Sequence, residues 1–156
     1  MLVLHERKTR ITLMSRLAGK TAGETVAAMM ATFRRLDPRM RGSFVGKTVH
    51  WTVFRPSSSF DNDTCFARHV LLRGMLSATT YFCDAYASWQ KGGVEKANGR
   101  IRRWLPRGTD LDEISEADIQ EIAMTINPTP RKCLAYRSPA EAFQSELGRD
   151  VEIRFA

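Results

Sequence analysis

Two short β-compatible runs, Leu2-Val3-Leu4 and Ile11-Thr12-Leu13-Met14, stand only six residues apart, and they constrain the fold more than any other feature of the chain. The segment between them, His5-Glu6-Arg7-Lys8-Thr9-Arg10, is charged and too short for a crossover, so the two strands can pair only antiparallel, as a hairpin. Gly19-Lys20 closes the second run, and Thr21 with Glu24 three residues on forms a capping box that opens a helix. Val26, Met29, Met30 and Phe33 keep a helical period to about Leu36, where Asp37-Pro38 ends it.

Beyond this start the pattern alternates. Residues 42–60 are broken by Gly42-Ser43, Gly46-Lys47 and Pro56-Ser57-Ser58-Ser59, around one β-like run over 48–54. A helix is expected over 64–76, then a strand, Thr79-Thr80-Tyr81-Phe82-Cys83, ending at Asp84. A loop over 85–93 leads to a helix over 94–104, stopped by Pro106-Arg107-Gly108. Ser115 with Asp118 caps the next helix, whose Ile119, Ile122, Ala123 and Ile126 precede Asn127-Pro128. Ser138-Pro139 opens the last, over 140–147. Antiparallel strands followed by alternating helix and strand make this an α/β domain on a mixed sheet. With 156 residues and no repeat or linker, residues 1–156 are read as one domain, with 42–59 as an atypical insertion.

The net charge is +7, and residues 91–107 hold most of it: Lys91, Lys96, Arg100, Arg102, Arg103 and Arg107 against Glu95 alone. A basic stripe around one carboxylate suits a polyanion held beside a metal site, whereas the plainer reading is a solvated helix face. Cys65, Cys83 and Cys133 are an odd number without CxxC spacing, which suits a reducing compartment better than a disulfide framework. Cys65 and His69 lie one helical turn apart, but no second pair follows at zinc-finger spacing. No apolar run reaches transmembrane length and no signal-peptide core opens the chain, so it is read as neither secreted nor membrane-spanning and is expected in the cytoplasm.

The chemistry centres on Asp61-Asn62-Asp63-Thr64 and on Glu95, 34 positions later in Gly92-Gly93-Val94-Glu95-Lys96-Ala97-Asn98-Gly99. An acid before one helix and another opening a basic helix are oxygen donors that suit Mg²⁺, which takes one or two carboxylates plus substrate phosphate. A turn-capping Asp61 and a first-turn Glu95 complementing the helix dipole are the structural alternatives. His5, His50 and His69 show no pairing suited to acid–base work and read as structural or surface residues.

The blocks Phe60-Asp61-Asn62-Asp63-Thr64-Cys65-Phe66-Ala67 and Tyr81-Phe82-Cys83-Asp84-Ala85-Tyr86-Ala87-Ser88-Trp89-Gln90-Lys91-Gly92 resemble "DNGTEFA" and "YFCDPYSPWQRG" segments. Glu95-Lys96-Ala97-Asn98-Gly99, Arg103-Trp104-Leu105-Pro106-Arg107-Gly108, Pro130-Arg131-Lys132-Cys133-Leu134-Ala135-Tyr136-Arg137-Ser138-Pro139 and Glu6-Arg7-Lys8-Thr9-Arg10 complete the set. Together they resemble the catalytic domain of bacterial insertion-sequence transposases of the DDE type, in the insertion-sequence-thirty family, relatives of retroviral integrases. The resemblance covers the chain except residues 42–59.

It implies a ribonuclease-H-like mixed sheet flanked by helices, with its first three strands antiparallel. It also implies two Mg²⁺ or Mn²⁺ ions about 4 Å apart, clamping the attacking and leaving oxygens of an in-line displacement on DNA. Asp61 would match the second carboxylate and Glu95 the third, with both as metal ligands. Lys91, Lys96, Arg100, Arg103 and Arg107 would contact DNA, at the element ends and the target. Asp84, Trp89, Gln90 and Asn98 are candidates for supporting the site, and Arg131 and Lys132 are weaker DNA contacts.

The sequence departs from the pattern as well. The first carboxylate would fall on a strand before Met1, so the first strand is read as missing and the chain as a truncated, inactive copy. Asp63 stands where the family has Gly, and Cys65 where it has Glu. Glu6 and Asp63 are the nearby acids that could substitute for the first carboxylate. The alternative is a non-catalytic DNA-binding regulator or partner of a full-length transposase, as a homo-oligomer or in a mixed complex.

Overall fold

The computed structural model describes residues 1–17, Gly19, residues 21–36, the backbone of 49–53 and residues 92–147. The expected helix over 64–76, the strand over 79–83 and the loop up to Lys91 lie outside the described residues. So do Asp61, Asp63, Cys65, His69, Asp84, Trp89 and Gln90.

Strands β1 (Leu2–Glu6) and β2 (Thr12–Ser15) form the expected hairpin, with Leu4 opposite Leu13 and His5 opposite Thr12. The turn between them is held by Glu6. Its buried carboxylate accepts from the amides of Lys8 (2.8 Å) and Thr9 (2.6 Å) and from the Thr9 hydroxyl (2.5 Å). The run expected over 48–54 is strand β3 (Val49–Val53), antiparallel to β1 on its other side, from Leu2 opposite Val53 to Glu6 opposite Val49. The sheet order β2-β1-β3 therefore makes β1 central, and all three described strands are antiparallel.

Alternation along β1 builds two cores, because successive side chains leave opposite faces of a strand. Leu2 and Leu4, with Ile11 just before β2 and Leu13 within it, pack against Val26, Met29, Met30 and Phe33 of helix α1 (Ala22–Arg35). Val3 and Met14 pack on the other face against Ile101 of helix α2 (Gly92–Ile101) and Ile119, Ile122, Ala123 and Ile126 of helix α3 (Glu116–Ile126). Helix α4 (Pro139–Leu147) brings fully buried Phe143 to the α1 side. The result is three layers, helix on sheet on helix. Leu4 is wholly buried, so Leu4→Ala would cost roughly 2–5 kcal/mol in lost transfer energy and cavity.

The capping boxes form as the sequence predicts. The Thr21 hydroxyl accepts from the Glu24 amide at 3.2 Å, and the Thr21 amide donates to the Glu24 carboxylate at 3.0 Å. Ser115 and Asp118 repeat this at α3, with 3.1 and 3.0 Å. Ser138 and Glu141 add a box at α4 that was not read from the sequence, with 3.1 and 2.7 Å.

The helix expected over 94–104 differs at both ends. Helix α2 begins at Gly92 rather than Val94, and past Ile101 it tightens into turns, Arg103 N–H bonding the Arg100 carbonyl and Trp104 N–H that of Ile101. Gly92-Gly93 reads locally as a loop, but a tertiary contact uses the missing side chain. A Cβ on Gly93 would lie 3.3 Å from Arg10 Nη1 and 3.5 Å from His5 Cδ2.

The outer edge of β2 is closed by side chains of α3. The Asn127 amide accepts from Thr12 N–H (2.9 Å) and donates to Thr12 C=O (2.8 Å), standing in for a neighbouring strand. Gln120 donates to the Met14 carbonyl (2.9 Å), and Glu116 accepts from Arg16 N–H (2.7 Å). Positions 12, 14 and 16 are the alternate residues whose backbone groups point away from β1. Thr12 is therefore in a non-hydrogen-bonded pair with His5. The two side chains sit close, His5 Nδ1 3.0 Å from Thr12 Oγ1, and His5 is buried as a structural residue.

Candidate nucleic-acid interface

Helix α2 carries the described part of the site. Val94, Ala97 and Ile101 are buried at helical spacing and fix its rotation on the sheet. At about 100° per residue, the remaining positions divide into two flanks and an outer face. Glu95, Asn98 and Arg102 (i, i+3, i+7) lie on one flank, Gly93 and Arg100 (i, i+7) on the other, and Lys96 and Gly99 between them facing out.

Glu95 is exposed and, among the described residues, its carboxylate has no hydrogen bond or ion pair. Beside it on the same flank, Asn98 Oδ1 and Arg102 Nε are buried and, among the described residues, without partners. A lone carboxylate next to an unpartnered amide oxygen is a pair of hard oxygen donors, the ligand type that Mg²⁺ and Mn²⁺ take. Among the described residues no group of three His, Cys, Asp or Glu side chains converges.

The opposite flank is basic throughout. Arg10, in the left-handed region at φ 66°, closes the β1–β2 turn and lays its guanidinium on Gly93. Arg100 is half-buried in the last turn of α2, and Arg103 is exposed just past it. Arg131 approaches from the loop after α3. It is buried, its Nη2 donates to the Ile126 carbonyl at 2.8 Å, and its Nε has no partner among the described residues.

These charges feel one another. Burial, above all, holds Arg131 down to about 10, and the positive charges of Arg100 and Arg103 add to it while Cys133 opposes. Arg100 is lowered first by burial, with Arg10 and Arg103 adding and Cys133 again opposing. Among the described residues, none of the four guanidiniums meets a carboxylate within ion-pair distance. The ion pairs there are Lys8–Glu146 at 2.6 Å and Arg35–Glu116 at 3.4 Å, neither of which involves a residue of α2.

The structure thus separates residues that are neighbours in sequence. Glu95 and Arg100 stand about 140° apart around α2, so the acid is not ringed by the whole basic stripe. Lys96, Arg103 and Arg107 are exposed as expected, Arg107 beyond the helix in a turn closed by Gly108 at φ 90°. Arg10 was not singled out by sequence, where it reads as one charge in a hairpin turn. Only the packing of Gly93 beneath it brings it to α2.

No family model and no solved structure matches the chain. Curated proteins do. The transposase for insertion sequence element IS1086 of Cupriavidus metallidurans is 29% identical over 150 residues, covering 96% of this chain and 40% of the relative. Transposase InsI for IS30A of Escherichia coli is 30% identical over 141 residues, covering 90% of this chain and 33% of the relative. A putative integrase of Spiroplasma virus SpV1-R8A2 B is 40% identical over 67 residues, 43% of this chain and 21% of the relative.

An α/β chain of this kind, matched along most of its length by such proteins, is a relative of transposases. More narrowly, it is homologous to the transposases of the insertion-sequence-thirty family. The chain spans 33–40% of the length of these two transposases. Among the described residues, no helix is long and apolar enough to cross a membrane.

Proposed function

We propose that this chain acts on DNA in transposition, as a segment of a ribonuclease-H-like catalytic core. The carrying observation is the match to insertion-sequence-thirty transposases over 90–96% of the chain, with the basic helix α2 and its exposed Glu95 inside it. In this reading Asp61 and Glu95 hold a divalent cation, Mg²⁺ or Mn²⁺, with Asn98 Oδ1 beside it. A cation so held supplies Lewis-acid polarisation of a phosphodiester and a nucleophilic water. The protein's own part is to present the Glu95 carboxylate, unpaired among the described residues, on helix α2, and to position the DNA backbone with Lys96, Arg100, Arg103 and Arg107.

A second reading, a DNA-binding partner that does not cut, is favoured by Glu6. Its carboxylate is committed to the amides and hydroxyl of its own turn, so it is a poor substitute for a first carboxylate. On this reading the chain by itself binds DNA without cleaving it, alone as an oligomer or beside a full-length transposase.

Supercoiled plasmid incubated with the protein and Mg²⁺ or Mn²⁺ separates the two. Nicking that requires the metal and is abolished by Glu95→Gln supports the catalytic reading. Salt-sensitive binding without nicking supports the second, and absence of both sinks the DNA reading.

A further inference from the structure

The flank of α2 turned away from Glu95 gathers positive charge that no described carboxylate offsets. Arg10 rests on Gly93 at the N-terminal end of α2, where the helix dipole is itself positive. Arg100 follows on the same flank seven residues on, about 10 Å along the axis. Arg103 lies just beyond, and buried Arg131 closes the side with an Nε that, among the described residues, bonds nothing. Crowding like charges in a half-buried place is unfavourable, and ordinary proteins relieve it with a carboxylate. Among the described residues, no carboxylate is within ion-pair distance of these four.

We infer that Arg10, Arg100, Arg103 and Arg131 form a phosphate-binding basin that grips the DNA backbone on the side of α2 opposite Glu95. A guanidinium matches a phosphate with two parallel N–H donors, and anionic oxygens would answer the crowded charges, with buried Arg131 adding its charge rather than a direct contact. A basic run of about 10 Å spans roughly three phosphates of one strand, so it suits a polymer better than a lone anion. DNA held there would be gripped by one flank of α2 while the other presents the acid. Arg131 has a double task, since its Nη2 also holds the Ile126 carbonyl at the end of α3. The inference rests on the reading that this chain binds DNA.

The test is the salt dependence of binding to a 20-base-pair duplex of arbitrary sequence, followed by fluorescence anisotropy. Each phosphate contact contributes about 0.9 to the slope of log affinity against log salt. The double variant Arg100→Gln, Arg103→Gln is expected to lower that slope by about 1.8, and Arg10→Gln by about 0.9. Arg35→Gln, an equal charge change on α1 outside the basin, should leave the slope as it is. Arg131 is left intact because of its structural bond.

Thermal melts check folding. The basin variants should melt at or above wild type without DNA, and inorganic phosphate should raise the melting temperature of wild type more than theirs. Wild-type binding with the usual salt slope that the basin variants keep unchanged would overturn the basin and leave DNA binding standing. A wild-type protein without salt-sensitive affinity even at low salt would overturn both.

Discussion

The outer edge of β2 and the basic flank of α2 treat their polar groups in opposite ways. Along β2 the outward backbone groups of Thr12, Met14 and Arg16 meet side chains of α3: Asn127, Gln120 and Glu116. An edge strand so covered offers no template to another chain. Along α2, four guanidiniums converge with no described carboxylate to answer them. The first region is complete in itself, and its substitutions should cost stability. The second has no described carboxylate to complete it, so on the proposed DNA reading its substitutions should cost binding and spare the fold.

The contrast is broken most directly at Asn127. Asn127→Leu removes both bonds to Thr12 and leaves a buried amide and carbonyl unpaired, at about 1–3 kcal/mol for each. A loss of roughly 2–5 kcal/mol in urea denaturation is expected. A loss below about 0.5 kcal/mol would mean that the edge does not depend on α3.

Next in size are the caps. Thr21→Ala and Ser115→Ala should each cost about 1 kcal/mol, read in the same way.

Gly99 tests α2 with the opposite sign. It is exposed within the helix, with open space where a Cβ would go, so Gly99→Ala should stabilise by about 0.5–1 kcal/mol without altering the salt slope of DNA binding. A destabilised Gly99→Ala would show that α2 needs flexibility there.

The smallest effect is a pH dependence. Glu24 and Asp118 are held below their ordinary values, chiefly by the Thr21 and Ser115 hydroxyls, and Glu141 chiefly by the Ser138 amide. Carboxyls that are more acidic folded than unfolded contribute stability above their unfolded pKa and lose it as pH falls through the folded value. Melting temperature should therefore decline in the acid range, below the ordinary carboxylate values. That decline should shrink in Thr21→Ala and Ser115→Ala, while a profile identical to wild type would remove the caps as its cause.

What the sequence shows and what it hides divide along local and non-local physics. The hairpin, the caps at Thr21 and Ser115 and the stop at Asn127-Pro128 follow from residues a few positions apart, and they form as read. The hidden features join distant segments. Asn127 reads as a helix terminator, and nothing local shows that its amide completes a strand 115 residues away. Gly92-Gly93 reads as a loop because the Arg10 and His5 that lie against Gly93 are far away in sequence. Within the site, Glu95 and the basic stripe were legible from composition, but their division between two flanks needed the rotation that Val94, Ala97 and Ile101 impose.

The central position of β1 also sets an order of assembly. Its pairing with β2 joins His5 and Thr12, seven positions apart, whereas its pairing with β3 joins Glu6 and Val49, 43 positions apart. Loop closure of the second costs about 1.5 kcal/mol more than the first. The hairpin with α1 can therefore form early as the chain emerges, with Leu2 and Leu4 already half-covered. Docking of β3 on β1, and of α3 on the edge of β2, would follow as the slow steps.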